Sequence, residues 1–116
     1  MSAVVFQGEP VSDLLVTVKS REMQRGMSAE MRGDPLTASR HFLAAAHLEL
    51  VLANDYAEGG QEDLALRSRL SAASCFWRAG QQARAKTLLH EVMQEDPKHA
   101  AVAGQVLADL EGTASP

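Results

Sequence analysis

The chain has 116 residues, of which 46% are apolar but only 4% aromatic. Such a length suits one small domain, and the core has to be built from Ala, Leu, Val and Met. A net charge of −4 and a single cysteine argue against a nucleic-acid footprint and against a disulfide scaffold.

The eleven basic residues are interspersed with acidic ones, as on a solvated helical surface. The opening MSAVVFQGEP has no basic n-region, and its apolar run Ala3–Phe6 is too short for a signal core. No apolar run approaches the ~18 residues that span a bilayer. The expectation is a cytoplasmic protein in a reducing compartment, touching neither membrane nor nucleic acid. Its Ala- and Arg-rich composition points to a bacterial source.

Residues 1–10 read as a flexible lead. The first helix is expected to begin at Ser12, or nearer Lys19, and to run to Met31. Met23, Met27 and Met31 recur every four residues and share one face. Gly26 interrupts this helix, which is tolerated most readily where another backbone comes close. Gly33-Asp34-Pro35 is a boundary: Gly33 closes one helix, Asp34 caps the next, and Pro35 sits where its missing N–H is not needed.

The second helix should run from Pro35 to Glu58. Its apolar positions, among them Phe42, Ala45, Ala46 and Leu52, cover more than half its circumference, so it should touch neighbours on two sides. A third helix is expected from Glu62 to Ala79 and a fourth from Gln81 to Glu95, stopped by Pro97. Gly80 supplies the positive φ of the turn between them. A last helix, about Lys98–Leu110, should end at Gly112, with 113–116 a frayed tail. The units are then a hairpin 12–58, a hairpin 62–96 and a capping helix 98–111, in a single domain 11–112. The fold class is all-α, about five helices.

Small residues stand where paired helices would cross: Ala73 against Ala85, and Gly26 against Ala38. Phe76, Gly80, Leu89 and Pro97 complete the second set; Ala29, Phe42 and Ala45 complete the first. On these residues the chain resembles a tetratricopeptide-repeat (TPR-like) protein over roughly Lys19–Pro97. The two sets lie further apart than the family's ~34-residue period, the excess falling at the end of the second helix. The aromatic that family carries early in its first helix is replaced here by Glu22 and Arg69.

That resemblance implies antiparallel hairpins in a short right-handed array, and a groove lined by the first and third helices. Carried over residue by residue, the groove takes Ser20, Met23, Met27, Glu30 and Met31 from one helix. The other contributes Arg67, Leu70, Ser74, Trp77 and Arg78. It implies a non-enzymatic adaptor or scaffold that binds a peptide or helix of a partner protein. The Lys/Asn/Arg clamp with which some members grip a C-terminal carboxylate is missing, since Met23, Met27, Leu70 and Ser74 hold its places. The alternatives are a bundle whose main role is homodimerisation, or one that binds a small molecule.

No residues combine into a catalytic or metal motif. His41 and His47 lie on different faces of one helix, and His90 and His99 flank Pro97, so none has the i, i+4 spacing of a zinc helix. Cys75, in mid-helix, should be a buried inert thiol. Gly59-Gly60 is not followed by the Lys of a phosphate loop. The expectation is that the protein is not an enzyme and needs no cofactor.

Overall fold

The computed structural model describes residues 9–114, in five helices: α1 (Glu9–Met31), α2 (Pro35–Glu58), α3 (Glu62–Arg78), α4 (Gln82–Glu95) and α5 (Pro97–Ala114). Among the described residues there is no strand. The expected lead falls mostly on residues 1–8, outside the described part. Helix α1 begins at Glu9, ahead of the expected Ser12, because Pro10 is tolerated within a first helical turn. Helix α5 continues through Gly112 rather than ending there.

Three of the four connections share one turn. Gly33, Gly60 and Gly80 all have φ near +80° (75°, 78° and 83°). After each, the next N–H reaches back to the carbonyl five residues earlier: Asp34 to Ala29 (2.9 Å), Gln61 to Tyr56 (2.8 Å) and Gln81 to Phe76 (2.8 Å). Each glycine N–H donates three residues back, to Glu30, Ala57 and Trp77 respectively. This is the Schellman arrangement, which needs a left-handed residue and so selects glycine. The Asp34 carboxylate accepts the Thr37 N–H at 3.2 Å and caps α2. The fourth connection is a single extended residue, Asp96, whose carboxylate takes the Lys98 N–H at 3.0 Å while Pro97 opens α5.

Helices pack in sequence, with α5 also reaching α3; cross-helix pairs such as Arg69–Glu95 and Lys86–Glu111 join the first half of one helix to the end of the next, as antiparallel packing requires. The main core joins Ala45 and Ala46 of α2 to Ala72, Ala73, Cys75 and Phe76 of α3, Ala85, Leu89 and Val92 of α4, and Ala103 of α5. Ala73 and Ala85 are both fully buried in it. A smaller cluster, Ala29, Ala38 and Phe42, closes α1 onto α2.

Gly26 belongs beside that cluster, although its nearest neighbour is not the one expected. The closest atoms to the place of its missing Cβ are those of the Phe42 ring, at 2.9–3.1 Å. Phe42 lies one turn beyond Ala38 on the same face of α2. The glycine therefore makes room for an aromatic ring rather than for the small residue one turn earlier.

Candidate functional site

The first and third helices are linked at their C-terminal ends. Arg78 of α3 donates to Glu30 of α1 at 2.7 Å, and its guanidinium stacks 4.2 Å above the Phe42 ring centroid. Around this link the expected groove residues divide into three groups. Met23, Leu70 and Trp77 are half-buried and pack against the main core, and the Lys86 ammonium sits 5.9 Å above the Trp77 ring. Glu30 and Arg78 satisfy each other. Met27 (39% exposed), Met31 (88% exposed) and Arg67 stand in solvent, while the Ser74 hydroxyl donates to its own helix at the Leu70 carbonyl. Ser20 is half-buried.

Beneath the link, polar pairs add to the apolar cluster that joins α1 to α2. Lys19 reaches the buried Glu49 at 3.4 Å, and Glu22 meets His41 Nδ1 at 2.8 Å while accepting from Arg25 at 3.1 Å. The His41 hydrogen bond, with smaller help from Arg25, holds the Glu22 carboxyl below its ordinary range. On α1, Ala29 is fully buried and Met23 packs on the main core, while Leu14 and Val16 remain exposed.

Cys75 is buried. Burial, and then the negative charge of Glu49, push its thiol up to about 11, so at neutral pH it is a protonated, inert thiol. His47 lies edge-on to Phe76, with ring centroids 5.4 Å apart. Among the described residues no three His, Cys, Asp or Glu side chains gather as a metal site, and no helix is long and apolar enough to cross a membrane.

Two concavities were not anticipated. One is a cleft of about 720 Å³ where the last turns of α2 (Leu50, Ala53, Ala57) face α3 (Leu66) and α4 (Leu88). Arg69 is among its lining residues and donates to both carboxylate oxygens of Glu95, at 2.6 and 3.1 Å. The Arg69 hydrogen bond holds Glu95 below the usual carboxylate range. The other, about 440 Å³, is lined on α1 by Arg21, Gln24, Arg25, Ser28 and Arg32, with His41 of α2 opposite. The basic residues are thus less evenly dispersed than the sequence suggested. The signal was present: 21, 25, 28 and 32 follow the helical period.

Compared with known proteins, the chain matches no family model, no curated protein and no solved structure.

Proposed function

We propose that the chain is a non-enzymatic protein-interaction module of the TPR-like kind, which receives a peptide or helix of a partner protein along α1 and α3. The observation that carries this reading is the exposure of Met27 and Met31 beside the Glu30–Arg78 link. Flexible thioethers left in solvent suit an adaptable apolar contact, and an arginine at the rim suits its edge. The TPR-like assignment draws further support from the antiparallel pairing, the alanines buried between helices and the repeated glycine turn.

The test is crosslinked capture with the wild-type chain and with Met27→Glu and Met31→Glu. Both positions are exposed, so both variants should keep their helical circular dichroism while losing the captured partner. If both fold and retain it, the strip is not the binding surface. Self-association is the second reading, favoured by exposed Leu14 and Leu36 at 62% each. A mass independent of concentration in light scattering removes it. Small-molecule binding draws on the cleft between α2, α3 and α4, whose volume falls in the ordinary ligand range.

A further inference from the structure

Arg21, Arg25 and Arg32 run along one side of α1, and with Gln24, Ser28 and His41 they line the smaller, open concavity. Of the nearby carboxylates, Glu22 is already engaged by His41 and Arg25, and Asp34, which caps α2, feels the charge of Arg32 without forming an ion pair with it. Among the described residues Arg21 and Arg32 have no ion-pair partner. Two guanidinium groups without a close ion pair, a third that is half-used, an amide and a hydroxyl therefore line one hollow, in a chain whose net charge is −4.

We propose that this hollow binds the carboxylates of an acidic segment of a partner protein. Guanidinium groups present N–H pairs that match carboxylate geometry, and such charge-assisted bonds are the strong ones. A concave wall excludes part of the water and concentrates the field. The stripe from Arg21 to Arg32 is about 16 Å long at the helical rise. That length accommodates two or three acidic side chains of a short peptide. A nucleic acid is the poorer occupant. Its phosphates would continue past the stripe onto Asp34, and the chain's overall negative charge repels a long polyanion. This site involves neither Met27 nor Met31, so it stands or falls separately from the strip proposed above.

The experiment is fluorescence anisotropy on the full chain with three probes: a labelled Glu-rich peptide, its Gln counterpart, and a single-stranded oligonucleotide of equal charge. The Glu peptide should bind, weaken as salt rises, and outcompete both others. The double variant Arg21→Gln/Arg32→Gln should bind it roughly tenfold more weakly, as loss of charged hydrogen bonds implies. Lys98→Gln, on α5, should bind it as the wild type does. Both arginines are exposed, and circular dichroism checks that the double variant folds. Four outcomes overturn the proposal: no binding of the Glu peptide, equal binding of the Gln peptide, an unaffected arginine variant, or preference for the oligonucleotide. A fifth also overturns it, by assigning the hollow to a second copy of this chain. It is self-association that the arginine variant abolishes, with the exposed turn acids Asp55, Glu58, Glu62 and Asp63 as the occupant.

Discussion

Replacing Gly26 with alanine sets two effects of known size against each other. Within a helix the change is favourable by about 1 kcal/mol on propensity alone. The new methyl, however, would stand 2.9 Å from Phe42 Cζ, 3.0 Å from Cε2 and 3.1 Å from Cδ2. Comfortable carbon contacts lie at about 3.5–4.0 Å, so the ring has to retreat by a sizeable fraction of an ångström. It has little freedom to do so, because Phe42 is fully buried and the Arg78 guanidinium rests on its face. Overpacking of this kind costs about 1–3 kcal/mol, which cancels the propensity gain at its lower end and exceeds it above that. We expect Gly26→Ala to lose up to about 2 kcal/mol, or up to about 10 °C in Tm for a domain of this size. Gly104→Ala is the internal control. The nearest atom to its added Cβ is Met93 Sδ at 3.8 Å, an ordinary contact, so this variant should gain about 0.5–1 kcal/mol. Urea titrations followed by far-UV circular dichroism measure both. A Gly26→Ala protein that gains stability as Gly104→Ala does would refute the packing argument. So would strict additivity with Phe42→Leu, since touching residues couple by about 0.5 kcal/mol or more.

Four further outcomes follow from the polar contacts and the core. Glu49→Gln removes the buried partner of Lys19 and should destabilise the fold by about 1–3 kcal/mol in the same titrations. Trp77→Ala, at the edge of the main core, should lower stability in urea as well as any partner affinity, which makes it a poorer probe of binding than Met31→Glu. The Glu22 and Glu95 carboxyls titrate below their usual value of 4.5 in the folded chain. Their contribution to stability is therefore complete above about pH 4.5 and lost as pH falls through their folded values; a pH series on Glu95→Gln should show a shallower acid loss than the parent. Cys75 should react with a thiol reagent only at the rate at which the core opens. Fast labelling of the native chain at neutral pH would contradict its buried, protonated state.

Helix boundaries were the most legible part of this chain, because the chemistry that sets them is local. Gly33, Gly80, Pro35 and Pro97 each act within a few residues, and the second helix was readable from Pro35 to Glu58 on that basis. Gly112 misled because a glycine ends a helix only when the turn after it is made, and here the helix simply continues. Partners across helices were less legible. That Gly26 faces something close could be read from its position, but the depth at which α1 lies on α2 decides between Ala38 and Phe42. The ion pairs Lys19–Glu49, Arg69–Glu95 and Arg78–Glu30 depend on the same inter-helix register and have no local signature. The arginine hollow had one, the 21–25–32 spacing, which residue-by-residue charge balance concealed.

The Cα trace measures 58 × 38 × 15 Å, and its least dimension is about that of two stacked helices. Such a sheet of helices has almost no interior beyond its single layer of alanines and the few larger side chains set among them. Anything seated on one broad side is separated from the other by two helices and the one layer of side chains between them. A substitution among Ala45, Ala46, Ala72 or Ala73 would be felt on both sides at once.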